Sequence, residues 1–332
     1  MNKISIRTQI VKDYLFKFPN ATKGALSRKI FKEHPSLYKN EEVIRQCLKK
    51  LTGSMGKSSD KRFSQNKEIS SALEALKKAF PKGESEYIKP YKLPKASKKV
   101  LVISDLHIPY HSDEAVFAAL EFGLKEQVDT IIINGDLIDF SQISRHETDP
   151  RKRSVAYEIA TAQIFLEGLR KMFPNALIVW SYGNHCSRYD KWIVQKAPEL
   201  LDIDAIQLHE LMKLRELSII KVESMQYIYA GKLAIFHGHE TGLKSGGVNP
   251  ARSLRLKLNK SAVTSHFHRE TKDMGVNLGE QPYSCYSIAC LCELTPAYMP
   301  INNWTHGFAI IDLSPNGDYV FTQKSIINGK VF

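Results

Sequence analysis

Five short polar clusters recur along this 332-residue chain: Ser104-Asp105-Leu106-His107, Gly135-Asp136-Leu137-Ile138-Asp139, Gly183-Asn184-His185, His237-Gly238-His239 and Ser265-His266-Phe267-His268. Asp, Asn and His side chains are ligands for divalent metals. A mixed nitrogen and oxygen set suits Mn²⁺, Fe or Zn²⁺ better than Mg²⁺ or Ca²⁺, which prefer all-oxygen shells. One Asp or His at the end of a strand is an ordinary turn former. Five such clusters in order, each after an apolar run, point instead to one joint metal site. Read on an extended chain, the Asp-x-His and His-x-His spacings put both side chains on one side. Cys186 follows His185 directly, so a Cys/His nucleophile is the competing chemistry. It needs a free base beside it; the other reading of Cys186 is a small buried thiol.

Such a site requires elements that end together. KKVLVISDLH (98–107), DTIIINGD (129–136) and ALIVWSYGNH (176–185) read as buried strands. Helices are predicted over 113–127, with Ala115, Phe117, Leu120 and Leu124 near one face, and over 154–172. The β-α-β-α-β alternation argues for an α/β core whose sheet begins largely parallel. In open α/β sheets ligands collect at the carboxyl ends of the strands, so distant clusters can share one patch. Beyond residue 225, MQYIYA, KLAIFHG, SAVTSHFH, YSCYSIACLCEL, HGFAIIDL and YVFTQK read as strands, with turns such as SPNGD and NGK between some of them. Two packed sheets with helices outside are expected. Cys290 and Cys292, two apart in an apolar run, should share one face of a strand.

Composition narrows the setting. The chain is 43% hydrophobic and 25% charged, ordinary for a globular protein. No stretch approaches the roughly 18 apolar residues of a membrane helix, and MNKISIRTQIV lacks the apolar run of a signal peptide. The expected location is the cytoplasm, with no membrane partner. The five cysteines show no CxxC spacing, so neither a disulfide framework nor a structural zinc knot is expected.

The formal charge of +12 is unevenly placed. Residues 1–97 hold 22 Lys/Arg against 9 Asp/Glu, and residues 98–332 hold 25 against 26. Helices are predicted over 4–18, over 22–33 and from Asn40 to Gly53, the last turning Val43, Ile44, Cys47 and Leu48 inward. Three short basic helices are similar in size to a helix-turn-helix module. Residues 53–68 read as a basic Gly/Ser/Lys arm, and 69–97 as one more helix and a proline-containing connector. The expected organisation is a basic helical domain and arm (1–68), a helix and connector (69–97) and a catalytic domain (98–332). The basic domain predicts a polyanionic partner, nucleic acid above all, bound through phosphate neutralisation.

The ordered motifs DxH, GDxxD, GNH, HGH and SHFH resemble the calcineurin-like metallophosphoesterases, whose pattern runs DxH…GD…GNH[DE]…H…GHxH, over roughly residues 98–270. GNHCSRYDKWIVQKAPELL (183–201) is similar to a subgroup found in phages and bacteria. Cys186 stands where that pattern has an acidic residue, and Ser265 where it has glycine. The resemblance implies an αββα sandwich of two mixed sheets beside a small all-α domain. It implies one metal on Asp105, His107, Asp136 and His268, and a second on Asp136, Asn184, His237 and His266. These would be two divalent transition ions, with Mn²⁺ favoured over Fe or Zn²⁺. Ions roughly 3.5–4 Å apart repel, so a shared carboxylate is required between them. The resemblance further implies attack by a metal-bridging hydroxide, with His185 as general acid oriented by Asp139.

Substrate is not fixed by the fold, which serves protein phosphatases, nucleotidases, cyclic-nucleotide esterases and nucleases. With the basic domain, the expected activity is phosphodiester hydrolysis in nucleic acid. A phosphatase acting on small molecules or proteins is the alternative enzyme, and a DNA-binding protein with a structural metal site is the non-catalytic alternative. Arg145, His146 and Arg151–Arg153 follow GDxxD, where they could clamp a phosphate or form a solvated loop. Tyr298 and Trp304 could stack a base or simply pack. His239 fits either a substrate contact or a turn.

Overall fold

The computed structural model describes residues 5–53, 67–144, 154–243 and 248–332. The expected arm at 53–68 therefore lies mostly outside the described residues, as do Arg145, His146 and Arg151–Arg153. The chain divides into two compact units, Met1–Glu86 and Tyr87–Phe332.

In the first unit, α1 (Ile6–Lys17), α2 (Lys23–Glu33) and α3 (Glu41–Leu51) each begin at a side-chain cap. Ser5, Thr22 and Asn40 accept N–H bonds from Thr8, Ala25 and Val43, satisfying donors that a first turn leaves open. Val11, Leu26, Ile30, Tyr38, Ile44 and Leu48 form the buried cluster. Val43, expected inside, is 44% exposed. It follows Asn40 by three residues and lies a quarter-turn off the stripe that Ile44 and Leu48 share. The helix α4 (Lys67–Ala79) follows, with Leu73 and Leu76 exposed.

The second unit contains two mixed sheets. The seven-stranded sheet runs β13-β12-β11-β2-β3-β4-β5, and the six-stranded sheet runs β1-β6-β7-β8-β10-β9. In the first, β2 (Lys99–Ile103), β3 (Thr130–Asn134), β4 (Leu177–Ser181) and β5 (Ile219–Val222) are parallel. Antiparallel β11 (His306–Leu313), β12 (Tyr319–Ile327) and β13 (Lys330–Val331) extend it beyond β2. The second is built from β1 (Tyr91–Lys92), β6 (Ile228–Ala230), β7 (Leu233–Ile235), β8 (Ala262–Thr264), β9 (Thr271–Val276) and β10 (Pro282–Ser287).

Period-two alternation builds the layers. On β2, Leu101 and Ile103 join the cluster that includes Ala115 and Leu120 of α5 (Asp113–Lys125) and Leu166 of α6 (Val155–Met172). Val100 and Val102 point the other way and meet Ile228, Leu233, Ile235 and Val263 of the second sheet. Ala251 and Leu254 of α8 (Pro250–Leu258) cover the outer side of that sheet, against Ala234, Ala262 and Cys285. The result is the αββα sandwich.

Several elements depart from the pattern of the sequence. Tyr91 and Lys92, expected in a connector, pair with β6 as an edge strand. The strands β5 and β9 and the helix α8 are additions to the expected elements. Of YSCYSIACLCEL, only the first residues belong to a strand. Cys290 and Cys292 lie beyond β10, joined by single bridges to His306 and His111, so they do not share a strand face. Phe117 and Leu124 on α5 are exposed at 57% and 43%, while Ala115 and Leu120 are buried. Among the described residues, no helix is long and apolar enough to cross a membrane.

Candidate metal centre

The parallel strands β2, β3 and β4 deliver their clusters side by side. The chains leaving β2 and β3 stay paired: His107 N–H donates to Asp136 O at 2.9 Å, Ile108 N–H to Leu137 O at 2.9 Å and Asp139 N–H to Ile108 O at 3.0 Å. Asp105, His107, Asp136, His266 and His268 have φ of 53°, 50°, 42°, 66° and 57°. The Asp-x-His and His-x-His pairs are therefore not on extended chain. Each ligand occupies the left-handed region, where a non-glycine residue costs on the order of 1 kcal/mol or more. The local turns, not strand periodicity, direct both side chains of each pair inward.

Two glycines permit the close approach. At Gly135, with φ of +89°, a Cβ would lie 2.0 Å from His237 Nδ1. At Gly183 it would lie 2.1 Å from Asp136 Oδ1. Neither position has room for a side chain.

The donors form two adjoining groups. In the first, His268 Nε2 is 3.1 Å from Asp105 Oδ1 and 3.2 Å from His107 Nε2. His107 Nε2 is also 3.9 Å from Asp136 Oδ2. In the second, His237 Nε2 is 3.1 Å from Asp136 Oδ2 and 3.2 Å from Asn184 Oδ1, and a ring nitrogen of His266 lies within 4.8 Å of ligand atoms on Asp136 and His237. The free oxygens are anchored behind: Asp136 Oδ1 accepts the His185 N–H at 2.8 Å, and Asp105 Oδ2 accepts the His266 N–H at 3.1 Å. Asp136 Oδ2 faces both groups. All seven sequence-predicted ligands are thus brought to one place.

The donor set fits divalent cations. His237 Nδ1 donates to the Asn134 carbonyl at 2.9 Å, while its Nε2 faces two oxygens that cannot donate. The site demands positive charge. Burial alone would lower the His237 and His268 pKa values. The Asp136 carboxylate, then Asp105, raises His237 to about 10, and Asp105 raises His268 to about 10. Reciprocally, burial would raise the Asp105 and Asp136 carboxyls, yet His268 and His237 respectively hold them well below the usual range. His266 is lowered to about 4 by burial and by His237. Cations at this position would replace the two imidazolium protons.

Asp139 and His185 adjoin the first group. Asp139 Oδ1 accepts from Nδ1 of His185 at 2.8 Å and from Nδ1 of His107 at 2.9 Å. Burial would raise this carboxyl, but the hydrogen bonds from His107 and His185 hold it well below the carboxylate range. Cys186 is fully buried at the start of α7 (Cys186–Lys196), and burial, then Asp136, pushes its thiol up to about 12. It is an inert thiol. His239 Nε2 lies 2.8 Å from Ser224 Oγ, its ring 5.4 Å from that of His237. Trp304 packs edge-on against His268 with ring centres 4.1 Å apart, and Tyr298 lies beyond it, its ring centre 6.4 Å from that of Trp304.

Four supporting residues lie outside the sequence-predicted ligand and catalytic positions. Asn134 accepts from His237 and donates to Ser265 Oγ at 2.7 Å, giving the serine that stands in the family's glycine position a role joining the two strand ends. Glu158 accepts from the Phe140 N–H and the Ser141 hydroxyl, holding the turn that carries Asp139. Glu240 accepts the His237 N–H at 3.0 Å. Arg188 donates to His185. Its spacing of three on a helix is a readable signal; Asn134 and Glu158 act on groups distant in sequence and Glu240 on a backbone N–H, none of which leaves a residue pattern.

This ligand set at the strand ends of an αββα sandwich defines a metal-dependent phosphoesterase. The calcineurin-like phosphoesterase family model matches residues 98–281, more than half of the chain, and the chain belongs to that family. It is 25% identical over 250 residues to the Gene 54 protein of Mycobacterium phage L5, covering 71% of this chain and 96% of the relative. It is 25% identical over 183 residues to the Gene 54 protein of Mycobacterium phage D29, covering 52% and 70%. Similar solved structures include Vacuolar Protein Sorting 29 from Cryptosporidium parvum (16% identity, TM-score 0.39, covering 71% of this chain and 95% of that one). Another is a dimetal phosphatase from Danio rerio (11% identity, TM-score 0.36, covering 69% and 96%).

Proposed function

We propose that this protein is a two-metal phosphodiesterase acting on nucleic acid, with Mn²⁺ as the favoured ion. Asp105, His107, Asp136 and His268 would hold one ion, and Asp136, Asn184, His237 and His266 the other. The observation that carries this reading is Asp136 Oδ2, which faces the histidines of both groups. When bound, such ions supply a hydroxide at neutral pH and neutralise charge on phosphorus. Asn184 is a neutral ligand, so the paired site keeps net positive charge for a phosphate. His185 has its Nδ1–H fixed by Asp139, which orients the opposite nitrogen, Nε2, to protonate the leaving oxygen. Asp139, bonded to His107 as well, ties that proton donor to the first ligand group.

The nucleic-acid reading is supported by the excess Lys/Arg in the Met1–Glu86 unit. The part-exposed Trp304 beside His268, and the exposed Tyr298 next to Trp304, offer ring faces for a base. The test compares bis-p-nitrophenyl phosphate, p-nitrophenyl phosphate and DNA under Mn²⁺. Both diesters should be hydrolysed in preference to the monoester. Preference for the monoester overturns the diesterase reading in favour of a phosphatase. Inertness towards all three by metal-loaded protein overturns catalysis.

A further inference from the structure

The guanidinium of Arg188 lies outside the five polar clusters, within the 183–201 segment that resembles the phage and bacterial subgroup. One turn along α7 from His185, its Nη2 donates to His185 Nε2 at 2.9 Å and its Nη1 to the Asp139 carbonyl at 3.0 Å. Since His185 Nδ1 donates to Asp139, Nε2 is an acceptor in this arrangement. Two features of this contact call for another partner. A guanidinium presents a planar fork matched to paired anionic oxygens, and a single neutral imidazole nitrogen uses little of it. Also, Nε2 cannot donate to a leaving oxygen while it accepts from Arg188.

We propose that Arg188 is a substrate-binding residue that grips a non-bridging oxygen of the phosphodiester and rests on His185 until substrate arrives. The inference builds on the two-metal diesterase reading. The Asp139 carbonyl holds Nη1 in place, so only the Nη2 hydrogen bond has to change partner. When that N–H turns to a phosphoryl oxygen, the guanidinium leaves Nε2 of His185.

The test uses full-length Mn²⁺-loaded protein with Arg188→Met, and with Arg188→Lys, which keeps the charge and loses the fork. Inorganic phosphate is titrated by calorimetry, metal content is measured in the same samples, and KM and kcat are determined on bis-p-nitrophenyl phosphate. Arg188→Met should weaken phosphate about 10- to 100-fold, the range for losing a charged hydrogen bond. KM should rise by a similar factor, metal content should be unchanged, and Arg188→Lys should fall between. Phosphate affinity within about twofold of wild type in Arg188→Met overturns the proposal, as does a loss that merely tracks lost metal. If wild-type protein hydrolyses no diester, the function proposed above fails by itself, because the phosphate titration reads Arg188 without turnover.

Discussion

Asp136 divides its oxygens between two tasks: Oδ1 is fixed by the His185 N–H, and Oδ2 is left to face His237 and His107. Residue types with direct chemistry are legible in the sequence because Asp, Asn and His recur at strand ends. Support from Asn134 and Glu158 is not, because it reaches groups that only folding brings near, nor is that from Glu240, which accepts backbone N–H groups of its own turn. Glu158 gives a prediction at this scale. Burial pushes its carboxyl up from the ordinary 4.5 to about 7. A folded-state value above the unfolded one favours the neutral acid in the native protein. Its contribution to stability is therefore complete below about pH 4.5 and is lost as pH rises through about 7. In denaturant unfolding of metal-free protein, wild type should lose stability relative to Glu158→Gln between pH 5 and 8, by at most about 3 kcal/mol. Parallel pH curves for the two proteins contradict that cause.

At the scale of elements, the strands place the site and the turns after them aim it. The apolar runs of β2, β3 and β4 are legible as buried strands, and their parallel order follows from the helices between them. The left-handed turns at Asp105, His107, His266 and His268 are not, since both residue types also tolerate extended chain. The edge strand β9 alternates between half-buried and exposed without an apolar run to mark it. The helix α8 does carry a readable start, Asn249 followed by Pro250. The glycine before Asn184 tests this level. Gly183→Ala must displace Asp136, so Mn²⁺ affinity should fall by about tenfold or more, as when a ligand's support is lost. Helical content by circular dichroism should stay intact. Unchanged metal affinity would mean that the turn yields without moving the carboxylate.

For the whole molecule, the uneven charge is legible in the residue counts alone, whereas the strand order of the two sheets is not, because it depends on pairings distant in sequence. The unit boundary at Glu86/Tyr87 makes a sharper test than a cut at residue 97, which would remove β1 from its place beside β6. Residues 1–86 carry 19 Lys/Arg against 9 Asp/Glu. Protein lacking them should bind DNA about tenfold or more weakly at low salt, with a shallower dependence of affinity on salt. Its hydrolysis of bis-p-nitrophenyl phosphate should stay within about twofold. Equal DNA affinity with and without residues 1–86 would remove the basic unit from substrate binding.

Metal content, measured by mass spectrometry after equilibrium dialysis against Mn²⁺, reads the paired site most directly. Wild-type protein should retain about two equivalents per chain, and Asp136→Asn less than about one, with diester hydrolysis lost alongside. Wild-type protein that retains less than about one equivalent, or an Asp136→Asn variant that keeps both ions, would contradict a centre built on that shared carboxylate.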